Sequence, residues 1–287
     1  MANLKELNLK IVSLKNTQKM TKTMKLVAAS KMRRAQQAQQ NAHDYSVRLE
    51  HLLAGVAASP DEDPHPLLVP RNPPRKALVL FVTSDRGLCA GFNNNLCRYA
   101  MRWLAANGTS YEQVSMSFCG RRGQAFFRSR VKVAAYYEGS TDRPNFDIAT
   151  RIADELMEAY TSGAFDVVFL CYNRFKSALA QTPSMEQLLP IAHKQGEGQK
   201  KTATSYMFEP GEAELLVRLL PNAVRFQVFH ALLENAAGEH AARMTAMDSA
   251  TRNAGDMIKR YTLKRNRERQ AGITKELIEI VTGAESL

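Results

Sequence analysis

Apolar residues at the amino end fall alternately three and four apart, at Leu4, Leu7, Ile11 and Leu14, which is the spacing of one helical stripe. Between Asn16 and Lys19 the apolar stripe shifts phase. It resumes as Met24, Ala28, Met32, Ala35, Ala42, Tyr45, Leu49, Leu52 and Val56. The first glycine is Gly55 and the first proline Pro60, so nothing in the opening fifty-four residues breaks a helix. The pattern predicts one helix over 1–58, about 80 Å long at 1.5 Å per residue, but not one straight heptad seam.

Residues 59–75 contain PDEDPHPLLVPRNPP at 60–74, a stretch of turn formers that reads as a linker. Past it the period changes. Ala77–Thr83, Val114–Cys119, Val131–Tyr136 and Val167–Tyr172 are short β-rich runs, separated by helical stretches near 94–106, 120–129 and 146–162. This alternation predicts a Rossmann-like βαβ domain over 76–208 with a mostly parallel sheet. Residues 173–208 read as further strands and loops at the sheet edge, with an exposed turn at Gly196 and Gly198.

From Glu212 to Gly283 the pattern is helical again, and the segment 209–287 reads as a second long helix that continues through Pro221, Gly238, Gly255 and Gly272. Its middle carries Ala236, Ala237, Ala241, Ala242, Ala246, Ala250 and Ala254, a small-sided stripe that invites close approach by another helix. The N-terminal helix is the natural partner. The expected fold is therefore α/β, with a long antiparallel coiled coil of the N- and C-terminal helices and a central βαβ domain.

Charge sharpens this picture because of where it lies. The net charge is +11, yet residues 1–40 hold nine Lys or Arg against Glu6 alone, and residues 258–275 hold seven against Glu268 alone. Blocks so one-sided imply an acidic partner: nucleic acid, anionic lipid or an acidic protein surface. The stretch Lys19–Arg34 concentrates the signal, with Lys19, Lys22, Lys25, Lys31, Arg33 and Arg34 among Met20, Met24, Leu26, Val27 and Met32. No run of eighteen residues is uncharged, and Lys5, Glu6 and Lys10 stand where an export signal needs an apolar core, so the expected location is the cytoplasm. Cys89, Cys97, Cys119 and Cys171 have no metal-ligand spacing and read as ordinary buried thiols.

Candidate chemistry is sparse. The loop SDRGLCAGFN at 84–93 follows a strand, but Gly87 and Gly91 do not form GxGxxG and no GK[ST] follows, so a tight turn explains it better than a phosphate cradle. Asp85 and Arg86 read as a local ion pair. The six histidines, His43, His51, His65, His193, His230 and His240, lack metal-ligand spacing, and Glu239 and His240 beside Arg243 lie on a helix with no evident pocket. No catalytic group, cofactor or metal site is expected.

Three segments, NTQKMTKTMKLVAASKMRRAQ at 16–36, TSDRGLCAGFNN at 83–94, and 239–283 with EHAARMTAMDSATRNAGDMI and RQAGITKELIEIVTG, resemble the gamma subunit of F-type ATP synthases. The resemblance implies a central rotor stalk. Its coiled coil would stand inside a ring of three alpha and three beta subunits, and its α/β domain would meet the epsilon subunit and the c-ring. ATP would be made on the beta subunits, as proton flow through the c-ring turns the shaft. It also implies rotor-to-stator contacts at Met24, Lys25, Lys31, Arg33, Arg34, Arg243, Gln270, Thr274 and Glu276, and a peripheral place at the cytoplasmic face of the bacterial inner membrane. The sequence departs from the family pattern at Ala90, where a glycine is usual, at Gly238, where serine is frequent, and at Arg267 and Glu268. A basic nucleic-acid-binding protein is the alternative that charge alone supports.

Overall fold

A computed structural model describes residues 2–56, 65–191 and 212–285. The expected turn at Gly196 and Gly198, His193, the opening of the proline-rich linker, and the side chains of His43, Tyr45, Leu49, His51, Leu52 and Val56 lie outside the described residues. The elements are helix α1 (Ala2–Val56), strand β1 (Lys76–Val82), α2 (Phe92–Asn107), β2 (Gln113–Cys119), α3 (Arg121–Phe127), β3 (Lys132–Tyr137), α4 (Phe146–Thr161), β4 (Val167–Phe175), β5 (Gln181–Leu189) and α5 (Glu212–Glu285). The chain divides into two compact units: Met1–Ala29 with Arg243–Leu287, and Ser30–Ala242.

In the second unit the sheet runs β3-β2-β1-β4-β5, parallel except for β5, which pairs antiparallel with β4. Strand β1 is buried on both faces from Ala77 to Val82, as a central parallel strand must be when helices cover each side. Its alternate side chains divide between two cores. Leu78, Leu80 and Val82 pack under α4, through Ile152, Leu156 and Tyr160, and under α5, through Leu216, Leu220, Val224, Val228 and Leu232. Val79 and Phe81 face α2 and α3, where Leu96, Cys97, Ala100 and Phe127 close over them. The first part of α5 is thus a layer of the α/β sandwich. The described part of the expected linker is tied to this body: Arg71 donates to the carbonyls of Tyr160 at 2.8 Å and Phe165 at 3.1 Å, and Leu67 is buried.

In the first unit α1 and α5 pair antiparallel. Thr21 and Thr251 share a hydroxyl contact at 2.7 Å, and Lys25 reaches Asp248 at 2.5 Å. Positions 4, 7, 11, 14, 18, 21, 25 and 28 of α1 are all among its less exposed ones, with 24 and 29 beside them, and the same alternation runs on through 32, 35, 39 and 42. That is an unbroken three-four repeat. The apparent phase shift at 16–19 is therefore chemical and not geometric: Gln18 and Thr21 hold seam positions with polar side chains, and Gln18 donates to the carbonyl of Thr251 at 3.5 Å. Helix α5 is continuous through Pro221, Gly238, Gly255 and Gly272.

The loop between β1 and α2 is closed on itself. Asn93 accepts from the Ser84 amide at 3.1 Å and donates to the Ser84 hydroxyl at 2.7 Å, and that hydroxyl donates to the Arg86 carbonyl at 2.6 Å. Asp85 and Arg86 do not pair with each other as the sequence suggested. Asp85 accepts from the Arg121 amide at 3.0 Å and the Thr141 hydroxyl at 2.9 Å, whereas Arg86 lies 3.8 Å from Asp142. The turn drives Leu88 to φ 64° and Ala90 to φ 48°.

Two substitutions test this geometry by urea unfolding of the full chain. Ala90→Gly relieves a left-handed alanine and should stabilise the chain by about 1 kcal/mol. Gly120→Ala should destabilise it by about 3 kcal/mol, because Gly120 has φ 94° and a Cβ there would stand 2.5 Å from the Thr83 carbonyl oxygen.

Candidate functional site

In an open parallel sheet, ligands bind at the carboxyl ends of the strands, at the switch point where the strand order reverses. Here that point lies between β1 and β4, and α5 occupies it. Asn235 donates from Nδ2 to the Thr83 carbonyl at the end of β1, at 3.1 Å. Glu234 accepts from the Phe175 amide at the end of β4, at 3.3 Å. One turn later Gly238 lies against Phe92 and Gln181; a Cβ on it would meet the Phe92 ring at 3.0 Å. Ala242 closes the row against Cys89 and Phe92. Part of the small-residue stripe thus serves the α/β domain, not the N-terminal helix as the sequence implied.

Burial explains why this region is chemically quiet. Desolvation pushes the Cys97 thiol up to about 11 and the Cys119 thiol up to about 12, and it raises Cys171 well above its usual value. Such thiols hold their protons at neutral pH and are poor nucleophiles. All four cysteines are buried and none is bridged. Glu239 and His240 are buried as well, at 4% and 5% exposure.

The residues singled out as rotor-to-stator contacts divide by what they touch. Lys25 is held by Asp248, whose second oxygen lies 2.5 Å from Arg252; the Lys25 hydrogen bond holds the Asp248 carboxyl below its usual range. Lys31 lies 3.8 Å from Asp142. Arg33 and Arg34 are exposed, with no ion pair among the described residues. Met24 and Arg243 are half-buried. From Arg269 to Thr282 every residue but Gly272 is exposed, so Gln270, Thr274 and Glu276 all stand in solvent, and Thr274 donates only to the Gln270 carbonyl at 3.0 Å.

Among the described residues the first unit carries the larger set of exposed apolar side chains. Leu9, Val12, Met20, Leu26 and Val27 on α1, and Leu263, Ile273, Leu277, Ile278, Ile280 and Val281 on α5, are each more than half exposed. A helical pair that leaves so much apolar surface uncovered is built to be enclosed by partners. Sequence reasoning missed Asp142, Glu234 and Asn235. For the last two a signal existed: they are adjacent polar residues inside the run ALLENAAG, in the most apolar part of the helix. No helix among the described residues is long and apolar enough to cross a membrane.

Comparisons with known proteins agree with this architecture along the whole chain. The ATP synthase family model matches residues 3–287. The ATP synthase gamma chain of Geotalea daltonii is 43% identical over 287 residues, covering 100% of this chain and 99% of that one. That of Anaeromyxobacter sp. (strain Fw109-5) is 45% identical over 291 residues, with both chains fully covered. Among solved structures, a chain of the Euglena gracilis mitochondrial ATP synthase rotor superposes with a TM-score of 0.64 at 18% identity, covering 95% of this chain and 99% of that one. A chain of the Tetrahymena thermophila central stalk and c-ring gives 0.58 at 23% identity, covering 80% and 99%. These two share the fold. None of the comparisons points to a nucleic-acid-binding protein. On the full-length identity to its bacterial relatives, the chain belongs to the family of ATP synthase gamma chains.

Proposed function

We propose that the chain is the central rotor shaft of a proton-translocating F-type ATP synthase, and that it carries no catalytic site of its own. The observation that carries the reading is the uncovered apolar and basic surface of the paired helices, α1 of 55 residues and α5 of 74. Helices of this length exceed what an α/β domain needs to cover its sheet. The switch-point crevice, where a nucleotide would be sought, is filled by Glu234, Asn235 and Gly238 of the same chain. That supports placing ATP chemistry on other subunits.

In this reading residues 1–58 and 209–287 form the shaft, with the first part of α5 rooted in the core of the foot, 59–75 a connection, and 76–208 the foot. The shaft turns inside three alpha and three beta subunits; the foot meets epsilon and the c-ring, at the cytoplasmic face of the bacterial inner membrane. An asymmetric shaft presents a different face to each of three otherwise equal sites, so each is held in a different conformation. A tenfold difference in nucleotide affinity between sites needs about 1.4 kcal/mol of differential contact energy. Exposed Arg33 and Arg34 are the cations best placed to supply it against an acidic loop, since Lys25 and Lys31 already have partners within the chain. Met24, Arg243, Gln270, Thr274 and Glu276 complete the proposed contact set.

Mixed with alpha and beta subunits from the same organism, the chain should join them in one copy per six and give sustained ATP hydrolysis, while hydrolysing none alone. A chain that turns over ATP by itself, or fails to join the ring, overturns the reading. The double substitution Arg33→Glu, Arg34→Glu should lower turnover of the assembled complex about tenfold. Far-UV circular dichroism of the free chain should stay unchanged, because both side chains are exposed.

A further inference from the structure

Glu234 is, with Glu239, one of two acids buried among the described residues. Its side chain is 7% exposed, and its two oxygens hold two different elements. Oε1 accepts from Gln39 Nε2 on α1 at 3.1 Å, and Oε2 accepts from the Phe175 amide on β4 at 3.3 Å. On α5 itself, His230 Nε2 lies 3.8 Å from Oε1. The other charges facing it are committed elsewhere: Arg174 of β4 pairs with Glu186 of β5 at 2.6 Å, and the Tyr172 hydroxyl donates to the same Glu186 oxygen at 3.1 Å. Among the described residues no Lys or Arg bonds the Glu234 carboxylate.

We propose that Glu234 is a proton-binding site at the root of α5, and that loss of its proton loosens the hold of α5 on α1 and on the end of β4. The neutral acid fits this place without losing a partner. Protonated on Oε1, it donates to the side-chain oxygen of Gln39 once that amide turns over, while Oε2 still accepts from Phe175. The ionised acid keeps two donors but places an unneutralised charge in a dry contact, and water relieves that charge best by opening the contact.

Burial accordingly pushes the Glu234 carboxyl up to about 7, against the smaller opposing pull of the Phe175 amide and Arg174. The folded chain then binds this proton more tightly than the unfolded chain, in which the group titrates near the ordinary 4.5. Stability from this group is complete below about pH 4.5, falls as pH rises toward 7, and is level above it, the reverse of an ion-paired carboxylate. In a rotary shaft the same contact lies on the path of torque between foot and helices, so alkaline pH would soften the drive.

Hydrogen exchange of the Phe175 amide in the full chain tests the site directly. Corrected for the intrinsic rise of exchange with pH, its protection should fall about tenfold between pH 5.5 and 8.5, while core amides such as Leu80 keep theirs. Glu234→Gln, which has the shape and bonding of the neutral acid, should hold Phe175 protected throughout. A pH-independent Phe175 in the parent chain, or the same fall in the Gln variant, overturns the proposal. The readout uses the chain alone, so it stands or falls separately from the rotor reading.

Discussion

The seating of α5 in the crevice at the carboxyl ends of β1 and β4 is the constraint on which the second unit depends. The ends of parallel strands leave carbonyls and amides that need partners, and in most α/β domains loops, water or a ligand supply them. Here Asn235 and Glu234 supply them from a helix that continues far beyond the domain. Side chains at this point must be small or polar: Gly238 lies so close to Phe92 that one added carbon would press on the ring. A fold suited to nucleotide binding has given that place to its own helix, which fixes the helix to the sheet at two strands.

The helical pair follows a different rule. Its seam on α1 keeps one three-four repeat from Leu4 to Ala42, yet several of its positions are Gln18, Thr21, Lys25 and Gln39. Each meets a polar group of α5, at Thr251, Asp248 or Glu234. Polar seam residues lower the stability of a coiled coil but fix its register, because a slip of one turn would separate each from its polar partner. For two helices from opposite ends of a chain, a fixed register keeps each outward residue at a defined height.

This explains what the sequence made legible. The strands and helices of the α/β domain came through because each run is short, apolar and bounded by turn formers, and the long helices because nothing breaks them. The seam did not, since a search for apolar periodicity sees Gln18 and Thr21 as a gap. The alanine stripe was half understood: small residues signal close approach, but not whether a helix or a ring such as Phe92 approaches. Nor does a sequence tell which of several lysines is engaged, because Asp142 and Asp248 lie more than a hundred residues away from Lys31 and Lys25.

That last distinction changes how the basic surface works. A count of charges from Lys19 to Arg34 treats every cation as available to a partner, yet Lys25 and Lys31 already face carboxylates of their own chain. Attraction to an acidic surface is then left to the exposed Lys19 and Lys22 and to the exposed guanidinium groups of Arg33 and Arg34, whose planar donors match carboxylates in pairs. All four are in water before contact, so each gains little from an ion pair and gives it up as readily. A bearing surface needs that balance, because a contact made at one angle has to be broken at the next.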